Sequence, residues 1–150
     1  MRPRILIFED NDILRSTLKY ILNERSYEVF TFSDPIMCPV YDSINHKCHV
    51  DHACADIIIS DVNMPSKTGL ELIKDRQQKG CKVKYRALMS GDWTDSDLKY
   101  AQDLGCHIFH KPFDIRKMLK WLDDCVEKIK PDRKLSALLT KPDLISEKIA

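Results

Sequence analysis

The chain has 150 residues, 43% of them hydrophobic and 31% charged, the proportions of one ordinary globular domain with a real core. A formal net charge of +1 lacks the basic excess of a typical nucleic-acid binder, and no run approaches the roughly 20 apolar residues of a membrane span. The opening MRPRILIFED ends its apolar run on two acids and so does not make a signal peptide; the expectation is a cytoplasmic protein, without membrane insertion or direct nucleic-acid contact.

Taken in chain order, ILIF at 5–8 suits a strand buried on both faces. Asp12 is a plausible N-cap, and Ile13, Leu14, Leu18, Ile21 and Leu22 follow at helical spacing. A second strand is expected over Tyr27–Phe32. The segment from about 35 to 55 is rich in Cys, His and Pro and resists placement. Ile57-Ile58-Ile59 is the strongest β run and ends in Ser60-Asp61. Leu70, Leu72 and Ile73 predict a helix closed by Gly80 in a left-handed conformation. Val83–Met89 reads as a strand, Thr94–Leu104 as a helix closed by Gly105, and Cys106–His110 as a fifth strand. Ile115, Met118, Leu119, Leu122, Val126 and Ile129 form one apolar stripe before Pro131. Residues 131–150 form a C-terminal extension, with a short helix expected around Lys134–Leu139.

Strands alternating with helices call for an α/β fold, a doubly wound five-stranded parallel sheet covered on both faces by five helices. In such a sheet the functional groups gather beyond the C-terminal ends of the strands. There the first strand delivers Glu9 and Asp10, the third Asp61, the fourth Ser90 and the fifth Lys111 followed by Pro112. Clustered carboxylates favour a hard divalent cation such as Mg²⁺. With phosphate oxygens neutralised, a carboxylate can attack phosphorus in line. A lysine can pair with the phosphate and a serine hydroxyl can donate to it. The expected product is an aspartyl phosphate.

The strings ILIFED, IIISDVNMP, ALMSG and HKPF resemble, in order and spacing, the four signature blocks of two-component response-regulator receiver domains. The resemblance covers about residues 4–130 and implies a stand-alone, CheY-like receiver over 1–130 with a Cys/His-rich insertion at about 35–55. It further implies a flavodoxin-like strand order 2-1-3-4-5 and a histidine kinase or phosphotransfer protein as phosphoryl donor. Carried over by position, Asp61 matches the phosphoacceptor, and Glu9 and Asp10 match the acidic pair serving Mg²⁺. The backbone carbonyl of Asn63 matches the one that completes the metal shell. Ser90 matches the switch hydroxyl, with Gly91 leaving room beside it, and Lys111 matches the phosphate-pairing lysine, its bond to Pro112 expected cis. The resemblance makes the chain a switch rather than an enzyme, with self-phosphorylation and autodephosphorylation its own chemistry. Where the family carries a rotating aromatic, this chain has Ile108, which shifts attention to Trp93 as part of the switch.

The cysteines leave alternatives open. Cys38, His46, Cys48, His49, His52 and Cys54 crowd one segment, and Cys54, Cys81 and Cys106 each precede a strand. Neighbouring strands are about 4.8 Å apart, so these three thiols are expected side by side, as zinc ligands, as a redox pair or as small packed residues. A metal- or redox-gated binding module is therefore the rival reading. A haloacid-dehalogenase-type phosphatase fits less well, because it sets its nucleophile after the first strand. His107, His110 and Trp121 read as packing residues.

Overall fold

The computed structural model describes residues 1–34 and 52–136. In chain order these form β1 (Arg4–Phe8), α1 (Asp12–Glu24), β2 (Glu28–Phe32), β3 (Ile57–Asp61), α2 (Gly69–Gln78), β4 (Tyr85–Ser90), α3 (Asp95–Asp103), β5 (His107–His110) and α4 (Ile115–Lys128). The strands make one sheet in the order β2-β1-β3-β4-β5, and every neighbouring pair is parallel. This is the expected flavodoxin-like sheet. Four helices lie among the described residues, where five were expected for the whole chain; the Cys/His-rich segment 35–51 lies outside them.

The apolar runs of the central strands are explained by burial on both faces. All five residues of β1 and all five of β3 are buried. Because side chains alternate across a strand, Ile5, Ile7, Ile57, Ile59, Ala87 and Met89 enter the core shared with α1 and α4. Leu6, Phe8, Ile58 and Leu88 enter the core shared with α2 and α3. Full burial of an Ile or Leu side chain is worth roughly 1.5–3 kcal/mol, so this two-sided cladding fixes strand order and register together.

The helix ends follow local chemistry. Asn11, one residue earlier than expected, caps α1 by accepting the Leu14 amide at 2.9 Å. Asp12 instead occupies the first turn, where its charge meets the positive end of the helix dipole. Thr68, Thr94 and Asp114 cap α2, α3 and α4 through their side-chain oxygens. Gly80 and Gly105 follow α2 and α3 at φ 80° and 76°, as their positions predicted.

The start of the C-terminal extension is bound to the sheet and is not helical over 134–136, contrary to expectation. Arg133 grips the Asp56 carboxylate through two nitrogens at 2.9 and 2.6 Å. The Ser136 amide donates to the Ala53 carbonyl at 2.9 Å, and Arg4 Nη1 donates to the Ser136 carbonyl at 2.8 Å. The last two bonds engage the Ser136 amide and carbonyl, which a helix would otherwise use. The remainder of the expected helix lies outside the described residues.

One glycine is demanded by space. A β-carbon at Gly69 would lie 2.2 Å from the Asp61 carbonyl oxygen and 2.9 Å from Leu88 Cδ2. Gly91, expected to leave room beside Ser90, is less constrained, since a β-carbon there would stand in ordinary contact at 3.7 Å from the Lys111 carbonyl. Gly69→Ala should therefore lose about 1–3 kcal/mol in urea unfolding, whereas Gly91→Ala should stay within about 0.5 kcal/mol of the parent.

Candidate functional site

Strand register brings the sequence-predicted residues to one rim. Phe8 pairs with Ser60 and Asp61 with Met89, while Ser90 pairs with His110. Glu9, Asp61, Ser90 and Lys111 are thus the last groups of four neighbouring strands, or the first groups beyond them. Main-chain bonds carry the pairing past the strand ends: Glu9 N to Phe32 O at 3.0 Å, Val62 N to Met89 O at 2.9 Å and Lys111 N to Ser90 O at 2.8 Å. The Lys111–Pro112 bond is cis, as expected.

At this rim the Lys111 ammonium lies 3.0 Å from Glu9 Oε1 and 3.2 Å from Asp61 Oδ1. Glu9 is fully buried, Asp61 is 6% exposed, and Asp10 stands in solvent. Each of the three acids offers an oxygen within 4.8 Å of the others. Burial, followed by the hydrogen-bonded Asp61 carboxyl, raises the Glu9 pKa to about 7 against the lowering pull of Lys111. Burial works against the charge on Lys111, yet its bonds to Glu9 and Asp61 raise its pKa overall. Glu9 Oε2 is buried without a hydrogen-bond partner. A carboxylate oxygen left so, beside two further acids, has the chemistry of a ligand for a hard cation.

Ser90 is 1% exposed, and its Oγ accepts from the Asp92 amide at 3.0 Å and from Asn63 Nδ2 at 3.5 Å. Both bonds use the oxygen as acceptor, so neither consumes the hydroxyl proton. Trp93 donates from Nε1 to the Phe109 carbonyl at 3.0 Å, which ties the loop after β4 to β5. Ile108 packs, partly buried, against the α2/α3 core. His110 meets Trp93 edge-on at 6.4 Å, and His107 stacks on Trp121 at 5.2 Å, so these rings pack as expected.

Two residues near the site escaped the sequence reading. Arg15 Nη1 donates to the Glu9 carbonyl at 2.9 Å and the Asp10 carbonyl at 3.4 Å, pinning the acidic loop from α1. Its place one turn into the helix was the available signal. Gly69, pressed on the Asp61 carbonyl, is the other; nothing in its neighbouring residues announces that approach.

The thiols do not converge. Among the described residues, Glu9, Asp10 and Asp61 form the one group of three or more potential ligands that meet. Register takes Cys106 away from the other two. Ile57 pairs with Tyr85 and Ala87 with His107, which sets Cys106 level with Ile58. Cys54 lies four positions earlier, or about 13 Å along the strand. Cys54 and Cys106 are buried in the α2/α3 core and Cys81 packs against it, all as thiols. Burial pushes the Cys106 pKa up to about 11, away from thiolate chemistry. Cys38 and Cys48 lie outside the described residues.

Comparison with known proteins agrees with this geometry. The family model for the response regulator receiver domain matches residues 5–123. The aerobic respiration control protein ArcA of Escherichia coli is 28% identical over 118 residues, covering 77% of this chain and 45% of ArcA. The chain thus spans about half the length of the curated relatives it matches. The chemotaxis protein CheY4 of Vibrio cholerae superposes with a TM-score of 0.66 at 25% identity, covering 83% of this chain and 99% of CheY4. The HemR receiver domain of Leptospira biflexa shares the fold, with a TM-score of 0.71 at 21% identity, over 87% of this chain and 98% of that one. With its sheet order, its acidic rim and the matched residues all in accord, the chain belongs to the response regulator receiver domain family, the phosphorylation-dependent switches of two-component signalling.

Proposed function

We propose that Asp61 accepts a phosphoryl group from a histidine kinase or phosphotransfer protein and that the rim residues convert the new charge into a changed surface. The reading is carried by one observation: the Lys111 ammonium is held between Glu9 and Asp61 while three carboxylates share the same small volume. Glu9, Asp10 and Asp61, with the Asn63 carbonyl, would hold Mg²⁺. Bound there, the ion supplies the positive charge that makes a phosphoryl group tolerable beside carboxylates.

An Asp61 oxygen attacks phosphorus as the bond to the donor imidazole nitrogen breaks, giving an aspartyl phosphate and a free histidine. Lys111, already 3.2 Å from Asp61, pairs with a phosphoryl oxygen. Ser90 still has its hydroxyl proton to donate and turns toward the new group. The Asp92 amide that bonds Ser90 and the adjoining Trp93, bonded to β5, carry that movement outward. Ile108 stands where the family carries its rotating aromatic, so the loop at 91–93 is the more direct path. Small phosphodonors substitute for the kinase, and water slowly removes the phosphoryl group at the same rim.

Three outcomes test this reading. Mass spectrometry with a small phosphodonor and Mg²⁺ should show one phosphoryl group on the parent and none on Asp61→Asn; equal labelling of the variant would refute Asp61 as acceptor. In a Trp121→Phe background, Mg²⁺ should change Trp93 fluorescence, and Asp10→Ala should weaken that response at least about tenfold; an unaltered titration removes Asp10 from the metal site.

The third outcome is a pH dependence. The Glu9 pKa rises from 4.5 to about 7 on folding. Between those values the folded state holds a proton that the unfolded state has lost, so the Glu9 contribution to stability falls as pH rises through this window. In chelator, the melting temperature of the parent should decline from pH 5 to pH 7.5 relative to Glu9→Gln, and Mg²⁺ should reverse the decline. Parallel profiles for the two proteins would contradict the assignment.

A further inference from the structure

At the end of the sheet opposite Asp61, where the strands begin, lies a cavity of about 260 Å³. Its walls come from three stretches distant in sequence: 53–56 ahead of β3, 82–85 at the start of β4, and 128–135 at and beyond the end of α4. Six lining residues are cations: Lys82, Lys84, Lys128, Lys130, Arg133 and Lys134. Among the described residues that line it, Asp56 is the one acid beside these six cations. Asp56 is already engaged, by Arg133 at 2.9 and 2.6 Å and by the Arg4 amide at 2.8 Å. A chain with net charge +1 thus places a quarter of its 24 Lys and Arg around one hollow.

Part of this charge has an ordinary use. Lys128 stands in the last turn of α4, where a cation complements the helix dipole. That use does not extend to Lys82 and Lys84, which arrive from another part of the chain, or to Lys134. Gathering like charges on a concave wall raises the energy of the bare protein. An anion seated there would relieve it. The lining also includes the apolar residues Ala55, Tyr85 and Ile129, so charge and partial exclusion of water act on the same occupant. Lysine ammonium groups are compact point charges suited to phosphate oxygens. The volume admits a small molecule, and the concave shape does not present the long stripe that a duplex backbone needs.

We infer that this cavity binds a small polyanion bearing two or more linked phosphate groups, held by the Lys82/Lys84 pair on one side and by the Lys128–Lys134 stretch on the other. The site lies a full strand length from the phosphorylation rim and does not depend on the chemistry proposed there. It includes Arg133 and Lys134 of the extension, so its occupant would also fasten that segment to the sheet.

Calorimetric titration of the full chain with sodium tripolyphosphate, in chelator and at low salt, tests this. Saturable one-site binding that weakens with added salt is expected. The double variant Lys84→Glu/Lys130→Glu should bind at least about tenfold more weakly. Both lysines are exposed, and circular dichroism should show the variant folded. Asp61→Asn should bind as the parent does, which separates this cavity from the phosphorylation rim. Absence of saturable heat, equal affinity in the double variant, or loss confined to Asp61→Asn would overturn the inference. So would a duplex DNA oligonucleotide that binds the parent and is not displaced by tripolyphosphate, since it would assign the basic surface to nucleic acid.

Discussion

The ammonium of Lys111, lodged between the carboxylates of Glu9 and Asp61, is the contact on which the arrangement of the rim depends. Two acids that approach each other in a buried place repel and lose hydration, and Glu9 is fully buried. A cation delivered by the fifth strand offsets both costs, at 3.0 and 3.2 Å. That delivery works only if β1, β3, β4 and β5 end at one level, which is what the two-sided apolar cladding of the sheet enforces. The packing of Ile5, Ile57 and Ala87 on one face and of Leu6, Ile58 and Leu88 on the other is therefore the foundation of the chemistry at the strand ends.

Much of this was legible in the residues because the governing physics is local. Isoleucine runs bounded by polar residues specify buried parallel strands, and glycine after a helix specifies a left-handed turn. A polar residue following each run marks the rim. Four sequence blocks in fixed order then identify the family, and the match over residues 5–123 bears that out. The α1 cap was displaced by one residue because Asn11 and Asp12 are both competent caps, and only backbone geometry decides between them.

What stayed hidden was long-range. The three thiols before β3, β4 and β5 looked like neighbours, since each is the last cysteine before a strand. β5 begins beyond the level at which β3 and β4 start, however, and register sets Cys106 four positions beyond Cys54. Gly69 gave no hint of its task, because the Asp61 carbonyl that excludes a side chain there comes from another element. The tethering of residues 133–136 to 53–56 also depends on partners some 80 positions away in sequence. A net charge of +1 concealed the largest of these features, for a sum says nothing of the separation between the three acids at the rim and the six cations at the cavity.

That separation has a mechanical meaning. Glu9, Asp10 and Asp61 stand at one end of strands roughly 17–20 Å long, and six cations stand at the other. In the field of a charged neighbour such a body feels a torque before it feels contact. A positively charged group is drawn to the carboxylate end and a polyanion to the lysine end, so the two ends attract partners of opposite sign.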